Sequence, residues 1–146
     1  MKLLLIGLGA LILVAGALQM FQPSFANPPV QPGASFEAVA KPPAEVASIL
    51  NRACADCHSN NTRYPWYSKI SPASWLLDRD IRAGRTHLNF STWSLYSPEM
   101  SHLRMTEVCD VIRKGKMPEP QYLLLHSEAR LSDAEKTAVC AFAQAQ

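Results

Sequence analysis

The pentapeptide Cys54-Ala55-Asp56-Cys57-His58 limits what this chain can fold into more than any other feature. Two thiols at this spacing lie on one turn of backbone, where each can add to a different vinyl group of one porphyrin. The histidine that follows then lies beneath the iron. The motif therefore predicts one covalently attached haem c, with His58 as an axial ligand. Such a chain must build a large apolar cavity around this turn.

Three other structures use a pair of cysteines at this spacing: a thioredoxin-like redox pair, half of a zinc site, and an ordinary disulfide. A redox pair is expected beside a strand–helix–strand pattern, which this sequence lacks. A zinc site needs a second pair of ligands, and the remaining cysteines, Cys109 and Cys140, are too distant from each other in sequence to form one. We therefore favour haem attachment.

The N-terminus has the charge asymmetry of an export signal, with Lys2 preceding an apolar run from Leu3 to Phe21. Ser24 and Ala26 suit cleavage by signal peptidase after Ala26. The run is also close to the roughly 20 residues that cross a bilayer, so that an uncleaved anchor remains open. Residues 1–26 are predicted to be a signal peptide or membrane anchor. Either one predicts export out of the cytoplasm, and an anchor would hold the chain at the membrane.

Composition divides the rest of the chain into two parts, a linker and a domain. Residues 27–43 are rich in proline and predict a stiff, extended linker that holds the domain away from the membrane. Residues 44–146 are predicted to form a single domain. The formal net charge of +2 arises from scattered charged residues, which argues against nucleic acid as a partner.

Helix signals recur through this domain, and no stretch alternates strongly enough to predict a strand. Pro43 at a first helical position begins a helix that leads into the cysteines. Ser71 and Pro72 begin a second helix, which we expect to end at Gly84. The domain is therefore predicted to be all-α, with its helices around the haem.

Two further helices complete the predicted domain. Ser97, as the N-cap before Pro98, begins a helix that turns Leu103, Val108, Val111 and Ile112 inward and ends at Gly115. Ser132 and Glu135 form a capping box for the last helix, which buries Val139 and Phe142.

Met117 is the predicted sixth ligand of the iron, because it lies in the loop Gly115-Lys116-Met117-Pro118 just after a helix. Methionine at this position raises the reduction potential and closes the iron to small ligands. The other methionines in this part of the chain are more typical of core filling. The alternatives that stay open are Met100, Met105, His87, His102 and His126.

Aromatic residues crowd the stretch after the motif and can form a wall for haem. We predict that Trp66 and Trp75 contact the haem and that Arg85 pairs with a propionate. A backbone carbonyl at Pro65 or Pro72 is expected to orient the second ring nitrogen of His58. Cys109 and Cys140 lie on the last two predicted helices, and in an oxidising compartment we expect them to form a disulfide.

Several runs of residues resemble the haem-binding domain family of exported bacterial proteins, which is similar to cytochrome c. The resemblance extends from about Asn27 to the last helix. It implies an anchored, cytochrome-c-like domain with one haem, and it places Met117 where cytochromes c carry the distal methionine. The family name brings no defined reaction. The runs are 53–60, Tyr64-Pro65-Trp66-Tyr67-Ser68, Ser74-Trp75-Leu76, Gly84-Arg85 and Leu88-Asn89-Phe90-Ser91.

Three functions are compatible with these features. The first is periplasmic electron transfer to or from a redox partner protein in the periplasm or inner membrane, which requires no substrate pocket and no catalytic residue. The second is a peroxidase-like haem enzyme, which needs an open iron position and a nearby acid–base residue such as His87, His102 or His126. The third is a haem-based sensor or a structural partner of a membrane complex. We expect the electron carrier.

Overall fold

The computed structural model describes residues 1–145, and within them every regular element is helical. This agrees with the predicted all-α fold. Short 3-10 helices join the longer elements at 32–34, 66–69, 90–95, 122–124 and 127–129. The α-helices are α1 (Lys2–Gln19), α2 (Phe36–Ala40), α3 (Ala44–Ala53), α4 (Ala55–His58), α5 (Ala73–His87), α6 (Pro98–Arg113) and α7 (Asp133–Gln144).

The starts of α6 and α7 are those the sequence predicts. The Ser97 hydroxyl accepts a hydrogen bond from the Met100 amide at 3.2 Å. At α7 the Ser132 hydroxyl accepts from the Glu135 amide, and the Glu135 carboxylate accepts from the Ser132 amide, which completes the capping box. Gly115 follows α6 with φ of +64°, a conformation that glycine adopts without a steric cost.

Helix α5 differs from the prediction at both ends. It begins at Ala73 with Pro72 as the N-cap, and the Ser71 side chain does not cap it; the Ser71 hydroxyl donates to the Leu18 carbonyl at the end of α1. It continues through Gly84 to His87. The glycine is required by a close approach to another segment, described below, and not by the end of a helix.

The core lies where α3, α6 and α7 pack together around the 3-10 helix at 90–95. Met105 and Trp93 are almost fully buried, with 0% and 2% of their surface exposed. The prediction that Leu103 faces inward is wrong, since it is 47% exposed. Met105, two residues further along α6, takes the core position in its place.

The segment 27–43, predicted as a stiff, extended linker, contains α2 and packs against the domain. Phe36 is only 3% exposed and its ring contacts Phe90, Trp93 and Phe142, with centroids 4.7–5.9 Å away. The buried core therefore reaches N-terminally beyond the predicted domain start at residue 44. Burial of this large ring stabilises the contact between the segment and the domain.

Cys109 of α6 and Cys140 of α7 face each other across the largest helix–helix interface. The structure joins them as a disulfide, with their Cα atoms 4.9 Å apart. This separation lies within the usual range for disulfides. The pair thus links the last two helices of the core.

Helix α1 lies apart from this core, with none of its residues buried. Its mean hydropathy is 2.0 over 18 residues, which makes it long and apolar enough to cross a membrane. Signal sequences have the same properties.

Candidate haem site

A cavity of about 1020 Å³ opens beside the cysteine motif and is the place where a haem would bind. This volume is at the upper end of the roughly 300–1,000 Å³ typical of ligand sites. Cys54, Cys57 and His58 lie in its wall together with residues of α5 and α6. Apolar side chains supply much of the remaining wall, among them Leu77, Val108, Val111, Ile112 and Leu125.

The motif itself forms a break between two helices. Cys54 ends α3 with φ of −129°, and α4 then carries Cys57 and His58 on one further turn. The Cys54 carbonyl accepts hydrogen bonds from the amides of Cys57 and His58 at 3.2 and 2.9 Å. This turn places the two thiols and the imidazole on a single cavity.

Gly84 lets α5 approach that turn closely. A Cβ atom at this position would lie 2.7 Å from the Cys57 carbonyl oxygen, so only glycine fits. The Gly84 carbonyl also lies 3.0 Å from Nδ1 of His58. Gly84 therefore permits the contact and supplies one of its hydrogen-bond acceptors.

His58 is oriented by two carbonyl groups. Its Nδ1 lies 3.0 Å from the Gly84 oxygen and 3.1 Å from the Leu88 oxygen, so Nδ1 carries the proton and donates to them. Nε2 is then the nitrogen left with a lone pair for iron. Burial lowers the pKa of His58 and keeps the ring neutral. The prediction that Pro65 or Pro72 orients this ring is wrong.

The two cysteine thiols are held in their neutral form. Burial is the main cause that raises the pKa of Cys54 to about 12, and the neighbouring Cys57 is the second. Burial is also the main cause that raises the pKa of Cys57 to about 11, and the negative charge of Asp56 is the second. Because the thiolate is the species that exchanges with disulfides and oxidises readily, the raised pKa values disfavour both reactions at these cysteines.

Met117 lies in the same cavity wall as the motif, which is the arrangement its predicted role requires. The amides of Lys116 and Met117 both donate to the Val111 carbonyl, at 2.9 and 3.3 Å, and fold the loop back on the end of α6. The loop thereby returns the Met117 side chain toward the domain, where it packs against the core.

The other candidate distal ligands are placed differently. Met105 is fully buried in the core, and Met100 is 37% exposed and does not line the cavity. His102 and His126 are also absent from the cavity wall, whereas His87 is part of it. His87 is therefore the alternative to Met117 that the geometry leaves.

Of the three predicted pocket residues, only Trp66 lies in the cavity wall. Trp75 is on another side of α5, where its indole donates to the Phe21 carbonyl at 2.7 Å. The Arg85 guanidinium is engaged by Ser59, Thr62 and Asn27, and so it braces the loop after the motif. The predicted haem contacts of Trp75 and Arg85 are wrong, because both side chains have protein partners elsewhere.

Two cavity residues that the sequence analysis did not assign to the site are Tyr67 and Tyr122. The Tyr67 hydroxyl lies 2.9 Å from Nε2 of His126, whose Nδ1 lies 3.0 Å from the Glu128 carboxylate. Tyr122 stacks on His126 with ring centroids 4.1 Å apart. Tyr67 belongs to the Tyr-Pro-Trp-Tyr-Ser run that carries the family resemblance. No local sequence pattern identifies Tyr122 as a residue of the site.

The residues present fit a haem. Two unpaired thiols, an imidazole with Nε2 available and a thioether line one large cavity, and most of the other contributions are apolar. Histidine and methionine are both ordinary axial ligands of haem iron. The wall thus provides groups for covalent attachment as well as groups for coordination.

Comparison with known proteins agrees with this assignment. Residues 13–145 match the family described as "Haem-binding domain". A search of curated proteins found no significant match, and a search of solved structures found none. The match covers most of the sequence, including the motif, the cavity wall and the last helix. The chain therefore belongs to the haem-binding domain family.

Proposed function

We propose that this protein is a monohaem c-type electron carrier, with the haem bound through Cys54 and Cys57 and the iron held by His58 and Met117. The observation that carries the proposal is the convergence of these side chains on one cavity of about 1020 Å³. They come from two segments of the chain, the motif at 54–58 and the loop at Met117, which lie 59 residues apart in sequence. A chance assembly of a thiol pair, an imidazole and a thioether would not be expected to share one apolar wall.

Each of these residues has a distinct task. The iron of a bound haem would supply the one-electron chemistry. His58 offers Nε2 in a fixed direction because two carbonyls accept from its other nitrogen. Met117 offers a neutral sulfur that does not titrate, and it packs against the apolar core. Fixed ligands and little solvent reorganisation suit electron transfer.

We further propose that the protein is exported to the bacterial periplasm and held at the inner membrane by an uncleaved α1. The apolar length of α1 and its single charge at Lys2 support this. The family match begins at residue 13, within α1. The partner would then be a redox protein in the periplasm or inner membrane.

A second candidate function is a peroxidase-like haem enzyme, and one observation favours it. His87 lines the cavity, and the chain of hydrogen bonds from Glu128 through His126 to Tyr67 also reaches it. These groups could move protons beside a bound ligand. This function requires that Met117 leave the iron open.

Met117→Ala separates the two functions. In the wild type we expect a low-spin iron that does not bind carbon monoxide when reduced, because the thioether occupies the sixth position. The variant should become high-spin, bind carbon monoxide and have a lower reduction potential. Absorption spectra with and without carbon monoxide measure this.

Met100→Ala is the matched control, since Met100 lies outside the cavity. It should leave the spectrum of the wild type unchanged. A wild type that is already high-spin and binds carbon monoxide would favour the enzyme. A Met117→Ala protein that stays low-spin, with His87→Ala becoming high-spin, would identify His87 as the ligand.

A further inference from the structure

The end of α1 is fastened to the domain by a cluster of hydrogen bonds. The Ser71 hydroxyl donates to the Leu18 carbonyl at 3.1 Å, and the Ser71 amide donates to the Gln19 side chain at 3.1 Å. The Trp75 indole donates to the Phe21 carbonyl at 2.7 Å. The start of α5 therefore lies directly against the C-terminal end of the apolar helix.

The surface around this junction is unusually apolar. Four large apolar side chains from the stretch 66–76 are exposed, and the residues after α1 add Met20 and Phe21, which are 83% and 72% exposed. We call the four the junction patch. Its members are Trp66 at 73% exposure, Ile70 at 42%, Trp75 at 38% and Leu76 at 52%.

Haem binding accounts for only part of this patch. Trp66, Ile70 and Leu76 lie in the cavity wall, so a bound haem would cover some of their surface. Trp75 does not line the cavity, and neither do Met20 and Phe21. An apolar surface remains outside the haem site, continuous with the helix that is long enough to span a bilayer.

We propose that the junction patch lies in the lipid–water interface of the membrane that holds α1, so that the haem cavity opens beside the bilayer surface. If Lys2 stays on the cytoplasmic side, the end of α1 emerges on the periplasmic side at headgroup depth. Residues hydrogen-bonded to Leu18, Gln19 and Phe21 must lie at a similar depth. Tryptophan is the residue that favours this depth most, because its ring is apolar and its indole N–H is polar.

The inference rests on the proposed retention of α1, and it reverses one expectation from the sequence. The proline-rich segment does not hold the domain away from α1, because residues 18–21 contact the domain directly before that segment begins. A redox partner whose electron-exchange site lies at the membrane surface would then meet the haem cavity without any movement of the domain.

Photo-crosslinking to lipid tests this proposal with the full-length holoprotein in phosphatidylcholine nanodiscs. The crosslinking residue p-benzoylphenylalanine replaces Trp75, which it resembles in size, and in separate variants Ile12 or Thr137. Ile12 lies in the middle of α1, and Thr137 is on an exposed side of α7. Mass spectrometry then measures lipid attached after illumination, in variants that retain haem.

We expect crosslinks from positions 12 and 75 and at least tenfold fewer from position 137. Crosslinks from position 12 without any from position 75 would overturn the junction patch proposal while leaving the anchor intact. Equal crosslinking from positions 75 and 137 would overturn it as well. Absence of crosslinks from position 12 would overturn the anchor and this inference together. If the Trp75 variant loses its haem, Lys69 takes its place, since Lys69 is exposed beside the patch and outside the cavity.

Discussion

At the scale of single residues, Gly84 combines two tasks, the first of which only glycine can perform. Its missing side chain lets α5 approach within contact distance of the Cys57 carbonyl, and its own carbonyl accepts from the His58 ring. The direction of the iron ligand is thus set by a residue that carries no functional group. Hydrogen bonds from neighbouring residues to a metal ligand commonly determine its orientation and its affinity for the metal.

Gly84→Ala should therefore damage the haem site. The new methyl group would lie 2.7 Å from a backbone oxygen and 3.1 Å from the Cys57 carbonyl carbon, so the turn must move. We expect a lower yield of covalent haem and a loss of about 1–3 kcal/mol in the free energy of unfolding, as for other overpacked sites. Haem staining and thermal unfolding measure these effects.

Gly33→Ala is the control, because a Cβ there would meet nothing within 4 Å. It should have the haem yield and unfolding temperature of the wild type. If Gly84→Ala matched the wild type in both measurements, the close approach would have no importance for the site.

The sequence predicts the residues of the cavity wall unevenly. The spacing of the motif predicts Cys54, Cys57 and His58. The position of a loop just after a helix predicts Met117. The acceptors for His58 are backbone carbonyls of Gly84 and Leu88, which carry no side-chain signal. Such acceptors are determined by which segments meet in three dimensions, and so the sequence could not identify them.

Trp75 and Arg85 illustrate the opposite error. Their residue types suit a haem pocket, but residue type does not determine which side of a helix faces the cavity. Both side chains lie on α5, and both are satisfied by earlier parts of the chain, at Phe21 and at Asn27. These contacts span more than fifty residues, which is beyond the reach of any local pattern.

At the scale of elements, local capping signals predicted α6 and α7 well, because their caps are formed within one turn. For α5 the same type of signal was wrong. The Ser71 hydroxyl donates to the Leu18 carbonyl and does not cap the helix, which begins after Pro72. A serine–proline pair alone therefore does not determine the first residue of this helix.

The pair Cys109 and Cys140 should link α6 to α7 covalently in the exported protein. Thiol labelling of the unreduced, denatured holoprotein should find no free cysteine, because haem would occupy the other two thiols. Cys109→Ala combined with Cys140→Ala should keep its haem. Its free energy of unfolding should fall by about 3 to 4 kcal/mol. This is the chain-entropy value for a loop closed over a separation of 31 residues.

Reduction before labelling supplies the control, since it should add two labelled sites at positions 109 and 140 only. Labelling of both positions without reduction would show that the pair is not oxidised in the native protein. An unfolding midpoint that does not change in the double variant would show that the link does not stabilise the core.

At the scale of the whole molecule, the haem site is assembled by the fold and not by any single element. The motif turn, α5, the second half of α6 and the loop at Met117 each supply one part of the wall. The sequence could predict the longer helices of the domain and the motif. It could not predict that the proline-rich segment would form α2 and contribute Phe36 to the core, since the few apolar residues of this segment give no clear periodic pattern.

The mass of the denatured protein tests the central claim most directly. After export by cells that mature c-type cytochromes, the intact chain should carry the added mass of one haem, and denaturation should not remove it. Cys54→Ala combined with Cys57→Ala should have the mass of the polypeptide alone. A wild-type chain that loses all its haem on denaturation, or a double variant that keeps a covalent haem, would contradict attachment through these two cysteines.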